Sequence, residues 1–304
     1  MAGGQERVLR RRIKSVQSTK KITKAMELIA ASRIVKSQAR VIAARPYSDQ
    51  ILKVLHHLSA GGAASVNPLL LPVADGDVRA VAYVVLGGDR GLCGGYNASV
   101  IRQAEGSIKR DKAAGREIVL ITVGKKVQAY FRFRHYDIAA AINGTVDRPS
   151  YEDARRVADE LLPRFSAGEV QRVQLVYTEF LSAGSQRVVE RRFLPLDAEA
   201  MGLSAATPAE DDDHGPKADY EYEPDPNEIL DALLPRYAEA RLFGAMLSAS
   251  ASFFAAQQRA MASASDNADE LVTKLTQQRN RARQDSITTE IMEIVGGAEA
   301  LSTK

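Results

Sequence analysis

The run QERVLRRRIKSVQSTKKITKAMELIAASRIVKSQARVIAAR, which covers Gln5–Arg45, contains neither glycine nor proline and consists mostly of residues that favour helix. As an α-helix it would extend about 60 Å, at 1.5 Å per residue. A second run without glycine or proline covers Ala245–Val295 near the other end of the chain. Both runs are longer than an ordinary globular helix. The sequence therefore predicts two long terminal helices.

Both helices are expected to extend beyond these runs. Pro46 marks a kink or boundary rather than the end of the first helix, because residues 51–58 continue a helical pattern of apolar positions. The C-terminal helix is expected to begin where Asp225 can cap it and Pro226 can occupy its first turn. Its end is expected at Gly296-Gly297 or just beyond.

Each helix carries apolar stripes that it cannot bury alone. On the first helix the stripe consists of Val8 or Leu9, Ile13, Val16, Ile22, Met26 and Ile29. On the second helix, heptad runs consist of Ala264, Ala268, Leu271 and Leu275, and of Ile287, Ile291, Ile294, Ala298 and Leu301. A shift of phase is expected between these two runs, across the polar residues 278–284. Since a domain separates the helices in the chain, their packing predicts an antiparallel coiled coil if that domain lies at one end of the helix pair.

The middle of the chain has a different pattern. Short strand-like runs occur at 78–86, 117–123, 137–142 and 172–180, with helical patterns at 97–112 and at 151–165, the latter after a capping Ser150. Residues 186–196 can add an edge strand. This alternation predicts a small, Rossmann-like α/β domain with a largely parallel sheet.

The predicted fold class is thus α/β plus a long antiparallel α-helical coiled coil of the N- and C-terminal helices. The predicted segments are a coiled-coil helix at 1–60, an α/β foot domain at 77–197, an acidic connection at 198–223 and a coiled-coil helix at 224–304.

Composition and charge exclude several classes. The 304 residues are 45% hydrophobic and 26% charged, which excludes bulk disorder, and no uncharged apolar stretch approaches 18 residues, which argues against a membrane span. A single cysteine, Cys93, excludes an internal disulfide and any multi-cysteine metal site. Residues 1–45 hold twelve Lys and Arg against two Glu, whereas 207–231 hold ten acids against one Lys. The first segment predicts an acidic or polyanionic partner, and the second a solvated loop.

Signatures of catalysis are poor. The loop Gly87–Gly95 follows the first strand, but it lacks the glycine spacing of a dinucleotide site and the lysine and hydroxyl of a P-loop, so a tight turn is favoured. Gly124-Lys125-Lys126 is interpreted as a strand-to-helix turn, and Cys93 as a buried thiol. The acidic run Glu210–Asp213 lacks an EF-hand pattern. Surface or packing roles are expected for His56, His57, His135 and His214. We predict no catalytic site, cofactor or metal in this chain.

Five stretches resemble the gamma subunit of F-type ATP synthase. They are Thr19–Arg33 (TKKITKAMELIAASR), Asp89–Asn97 (DRGLCGGYN), Glu223–Tyr237 (EPDPNEILDALLPRY), Ser265–Leu271 (SDNADEL) and Arg281–Leu301 (RARQDSITTEIMEIVGGAEAL). The last is the most specific, because ITxExxEIxxGA is close to a family signature. The likeness runs essentially from end to end.

The resemblance implies a central rotary shaft that is not itself catalytic. Its coiled coil would enter a ring of three alpha and three beta subunits, and its α/β domain would rest on the membrane c-ring and be held by the epsilon subunit. Proton-driven rotation of the c-ring would drive ATP synthesis at the beta sites. The absence of a transit peptide favours the cytoplasmic face of a bacterial plasma membrane, with the chain peripheral. A single cysteine implies that the redox switch of the chloroplast type is absent.

The resemblance also implies site residues. Contacts with beta would be made by Lys20, Lys21, Lys24, Met26, Arg283 and Gln284, and by Ile287, Ile291 and Ile294 in an apolar bearing. Packing of the foot, or contact with the rotor or epsilon, would involve Asp89, Arg90, Gly91 and Tyr96. Gly87-Gly88 departs from the small hydroxyl residues often found before Asp-Arg-Gly.

Two other interpretations of the residues stay open. A basic coiled-coil scaffold for nucleic acid would explain Arg7–Lys14, but not the C-terminal block, and it predicts strongly salt-dependent binding. A small α/β enzyme using the glycine loop predicts saturable nucleotide binding by residues 77–197.

Overall fold

The structure, a computed structural model, describes residues 2–60, 67–71, 73–197, 223 and 225–302, with the side chains of 2, 3, 59, 60 and 299–302 left out. Apart from Glu223, the predicted acidic connection at 198–223 therefore lies outside the described residues, as do Glu210–Asp213 and His214. The chain divides into two compact units, Met1–Ala31 with Gln257–Lys304, and Ser32–Ala256. Each terminal helix contributes to both units, so the predicted domain limits remain a prediction.

The two long helices are the first and last elements of the chain. Helix α1 covers Ala2–Ala60 and α5 covers Pro226–Ser302. The expected cap of α5 is confirmed, since the backbone N–H of Asn227 donates to Asp225 Oδ1 at 2.8 Å. Helix α1 continues through Pro46, whose exposed position lets water hydrate the carbonyl that proline leaves without a donor. Helix α5 likewise continues beyond Gly296 and ends at Ser302.

Five described strands form one sheet in the order β3-β2-β1-β4-β5. They are β1 (Ala80–Leu86), β2 (Glu117–Val123), β3 (Ala140–Ile142), β4 (Arg172–Phe180) and β5 (Gln186–Leu194). The first four are mutually parallel and β5 pairs antiparallel with β4, as the expected edge strand. The connecting helices are α2 (Tyr96–Ala113), α3 (Lys125–Phe133) and α4 (Tyr151–Ser166).

The sheet is covered on both faces, which suits a largely parallel sheet. Helices α2 and α3 pack on one face, where Val100 and Phe131 join a cluster with Val81 and Val85 of β1. Helix α4 packs on the other face, together with residues 51–58 of α1 and 230–249 of α5. Strand β1 is buried along its whole length, as a central strand should be. The predicted α/β architecture is confirmed.

The unit formed by Met1–Ala31 and Gln257–Lys304 is an antiparallel helix pair, as predicted. The Oγ1 atom of Thr23 lies 2.7 Å from Ser265 Oγ, and Lys20 Nζ lies 2.5 Å from Asp269 Oδ1. Nearer the start of α1, Leu9 and Ile13 form a buried cluster with Leu275 and Ala282. Residues later in α1 therefore contact residues earlier in α5, as in an antiparallel pair.

The predicted apolar stripe on α1 is wrong at Ile22 and Ile29. Ile22 and Ile29 are 61% and 55% exposed, and the seam continues instead through the half-buried Thr23 and the buried Ala30. The seam keeps a spacing of about 3.5 residues through a polar position, because the Thr23 hydroxyl finds its hydrogen-bond partner on the facing helix. A prediction from apolar residues alone therefore assigns the wrong α1 positions to the seam.

The predicted heptads on α5 need the same correction. Ala268 and Leu275 are buried as expected, but Ser265 is buried and Leu271 is 45% exposed. Ala282 is also buried and keeps the phase of Leu275, so the expected phase shift does not occur before that residue.

Candidate functional site

The carboxyl ends of β1, β2 and β3 meet around the Asp89 loop, which we define as Gly87–Tyr96. The carboxylate of Asp89 accepts hydrogen bonds from three backbone N–H groups. The donors are Lys125 at 3.1 Å, Gly144 at 3.0 Å and Val146 at 3.4 Å. Lys125 begins α3, and a ligand anion in this class of fold would bind at such a helix N-terminus. Because the protein's own carboxylate takes these donors, the loop acts as a packing element, which agrees with the tight turn expected from sequence.

Two glycines let the turns after β1 and β2 touch. Gly124 has φ +108°, and a Cβ there would lie 2.3 Å from the carbonyl oxygen of Gly87. A Cβ on Gly87 would lie 2.0 Å from Cγ2 of Val127. Where the family often has a small hydroxyl residue, this chain has Gly87, and the glycine lets the backbone pack directly against α3.

Charged groups tie the Asp89 loop to α1. The carboxylate of Asp147 lies between two guanidinium groups, with Arg90 Nη2 at 2.5 Å and Arg33 Nη1 at 3.3 Å. The Arg33 guanidinium also lies over the ring of Phe254, 5.3 Å from its centroid. These ion pairs are partly exposed, so each contributes about 0–1 kcal/mol. Gly91, which follows Arg90 in the loop, is half-buried.

Tyr96 is a packing residue at the start of α2. Its hydroxyl donates to the carbonyl of Ala249 at 3.0 Å, and its ring meets Phe253 edge to face at 5.5 Å between centroids. Burial raises the pKa of Tyr96, so the phenol stays protonated as a donor. Burial likewise raises the pKa of the Cys93 thiol, which supports an inert side chain rather than a nucleophile.

The α1 residues expected to contact beta fall into two groups: lysines that pair with acids of this chain, and residues for which no such pair is described. Lys20 pairs with Asp269 and Lys24 pairs with Glu27 at 2.9 Å, so both lysines have acidic neighbours within the chain. Lys21 is exposed, and Met26 is half-buried. The positive charge available to a partner is therefore smaller than the sequence count indicates.

The last turns of α5 expose polar and apolar side chains. Arg283 and Gln284 are exposed, and the three isoleucines expected in an apolar bearing are exposed too: Ile287, Ile291 and Ile294. Sequence reasoning missed Met292 and Val295, which are exposed as well, although the apolar run IMEIV gave a signal for them. We call these five apolar residues the tip. An exposed apolar surface of this kind is typical of a protein contact.

Within the part of the chain that the structure describes, no three acidic, histidine or cysteine side chains come together as metal ligands. No described helix is both long and apolar enough to pass through a bilayer. Of the described histidines, His57 and His135 are exposed and His56 is half-buried.

Comparison with known proteins identifies the family. The chain is 48% identical over 304 residues to the ATP synthase gamma chain of Frankia casuarinae, with 99% of each chain covered. A family model described as ATP synthase matches residues 5–301. This chain belongs to the ATP synthase gamma-chain family. The gamma chain of Mycolicibacterium smegmatis is 45% identical over 310 residues, with 97% of each chain covered.

Solved structures share the gamma-chain fold. A chain of the Euglena gracilis mitochondrial ATP synthase, from a structure of OSCP, F1 and the c-ring, matches with a TM-score of 0.67 at 18% identity, covering 98% of this chain and 95% of that chain. A chain from the central stalk and c-ring of the Tetrahymena thermophila enzyme matches with a TM-score of 0.58 at 22% identity, covering 80% of this chain and 99% of that chain. The resemblance and the fold class predicted from sequence are both confirmed.

Proposed function

We propose that this chain is the central rotary shaft of an F-type ATP synthase. It couples proton-driven rotation of a membrane c-ring to ATP synthesis at the beta subunits of an alpha3beta3 head. The observation that carries the proposal is the family match across residues 5–301, together with 48% identity to a gamma chain over nearly its full length. The reaction belongs to the beta sites, so this chain contributes motion and no catalytic group.

Its partners in the proposal are the alpha and beta subunits, the epsilon subunit and the c-ring. The tip supplies the apolar surface that the head would hold as a bearing, while Arg283 and Gln284 supply polar contacts with beta. In the α/β unit, Arg90 and Gly91 are accessible for contact with the rotor or epsilon, whereas Asp89 and Tyr96 act in packing.

The proposed location is peripheral, on the cytoplasmic face of a bacterial plasma membrane. The relatives at 43–48% identity are gamma chains of bacteria, which supports this assignment. The membrane contact would be made through the c-ring.

The charges on α1 suit a rotating contact. Lys21 is exposed and can meet acidic side chains of each beta subunit in turn. Exposed ion pairs contribute about 0–1 kcal/mol each, so they can form and break during rotation. Since family membership accounts for the basic helix, the interpretation as a nucleic-acid scaffold is not needed.

The polar contacts can be tested with the double substitution Arg283→Ala and Gln284→Ala in the reconstituted complex. Both side chains are exposed in the chain, so assembly should be retained while ATP-driven turnover falls about tenfold, the effect of losing one hydrogen bond to a charged group. The measurement is steady-state ATP hydrolysis together with ion pumping. Lys274→Ala with Gln277→Ala, also exposed on α5, is the matched control. Unchanged turnover and pumping in the first variant would remove this role from Arg283 and Gln284.

A further inference from the structure

Helix α5 is bonded to the ends of the sheet over Ser248–Phe254. Four hydrogen bonds link this segment to the α/β elements. Ser248 Oγ accepts from the N–H of Phe180 at 2.8 Å, Ser250 Oγ donates to Val146 O at 2.6 Å, Ser252 Oγ donates to Thr178 O at 3.0 Å, and Tyr96 donates to Ala249 O. We call this segment and its partners the junction.

The bonds of the junction reach α5 from two sides. Successive helix residues turn by about 100°, so Ser248 and Ser252 project within about 40° of each other, and Ser250 projects about 160° from both their sides. Accordingly, Ser248 and Ser252 bind the end of β4, whereas Ser250 binds the loop after β3. Bonds on opposite sides of a helix resist its rotation about its own axis.

The junction is buried, which makes its geometry strict. Ser250 is 2% exposed and Ser252 is fully buried, and Phe253 and Phe254 fill the space beside them. A buried hydroxyl that loses its partner carries a desolvation penalty, so the helix cannot turn without breaking these bonds at a cost.

Helix α1 is fastened to the same loop. Ile34 packs in one buried cluster with Phe253 and Phe254. Arg33 pairs with Asp147, and the Arg40 guanidinium donates to the carbonyl of Pro149. The loop after β3 therefore binds both long helices, α5 through Ser250 and α1 through these two arginines.

We propose that the junction is the torque joint of this chain, with Ser250 and Ser252 as positioning residues that fix the rotational angle of α5 relative to the sheet. Rotation applied to the α/β elements then passes to α5 without slip. This inference rests on the proposed function, because only a rotating shaft needs such a joint. The serines act through the helix and touch no reacting group.

The test measures the torsional stiffness of the joint in the assembled complex. The head is immobilised, and a bead is attached through Gly184→Cys in the turn between β4 and β5, where an added Cβ meets only Ser182 Oγ at 4.0 Å. The natural Cys93 is buried and does not compete. The Ser250→Ala/Ser252→Ala variant should show about a twofold larger angular variance of the bead while it waits for ATP, because two of four bonds are lost. Hydrolysis without load should stay unchanged. Ser263→Ala, exposed on α5, is the control.

A second variant protects the test against misfolding. Tyr96→Phe removes one bond of the junction and keeps the ring against Phe253, so a smaller increase in variance is expected. If the double variant loses its thermal unfolding transition, it is misfolded. The angular variance of the Tyr96→Phe variant then decides whether the junction fixes the angle of α5. Variance equal to wild type in a folded variant overturns the torque joint and leaves the shaft assignment intact. A wild-type chain that neither joins a head nor turns the bead would instead overturn the proposed function, and the joint with it.

Discussion

Replacing Gly124 by alanine is expected to destabilise the unit Ser32–Ala256 by more than about 3 kcal/mol. Two effects add at this position. The backbone has φ +108°, which side chains other than glycine rarely adopt, and the new Cβ would lie 2.3 Å from the carbonyl oxygen of Gly87. That obstacle is backbone, so a change of rotamer cannot relieve it. The free energy of unfolding, measured by urea denaturation of the whole chain, checks the expectation.

A matched control separates the two effects. Gly115 also has a positive φ, +78°, but a Cβ there meets no heavy atom within 4 Å. Gly115→Ala should therefore cost only about 1 kcal/mol, the price of the left-handed backbone conformation alone. Equal losses for the two substitutions would show that the turns after β1 and β2 do not touch as described.

Replacing Asp111 by asparagine is expected to lower the free energy of unfolding by about 3 kcal/mol, as removal of one partner from a buried ion network does. The Asp111 carboxylate accepts from Tyr83 Oη at 2.6 Å, from Arg116 at 2.7 Å and from Arg172 at 3.1 Å. Without its charge, two guanidinium groups remain close together with the largely exposed Asp75 as their acidic partner. Unfolding of the variant should be compared with that of Asp159→Asn, an exposed carboxylate on α4 that should change the free energy by less than about 0.5 kcal/mol.

The same network predicts a dependence on pH. Burial alone would raise the pKa of Asp111, but hydrogen bonds from Tyr83 and Arg116 and the charges of both arginines outweigh it, so the pKa is lowered. A carboxylate with a lowered pKa stabilises the folded state above its unfolded pKa of about 3.9, and the contribution is lost as pH falls through the folded pKa. The difference in unfolding free energy between wild type and Asp111→Asn should be constant near neutral pH and shrink below about pH 4. A difference that does not change with pH would contradict the network's charged state.

Much of the fold follows from local sequence. Strand β1 is a continuous apolar run and is buried throughout, and Ser150 begins α4 in a capping box with Asp153. These elements were predictable because each is decided by residues within a few positions of one another.

The seam of the coiled coil and the role of Asp89 depend on partners distant in the chain. Thr23 is half-buried and Ser265 is buried because the two hydroxyls face each other, and neither residue is apolar, so periodicity could not find the pair. Asp89 binds backbone groups that lie 36 to 57 residues away, at the ends of other strands. Likewise, the pairing of Lys20 with Asp269 could be found only once the register of the two helices was known.

The assignment of this chain as the shaft of a rotary ATP synthase can be tested by native mass spectrometry of the complex recovered with a tagged copy of the chain from its own membranes. We expect a species that holds one copy of this chain with three copies each of two larger subunits. A homo-oligomer, or an assembly that only nuclease or high salt removes, would contradict it.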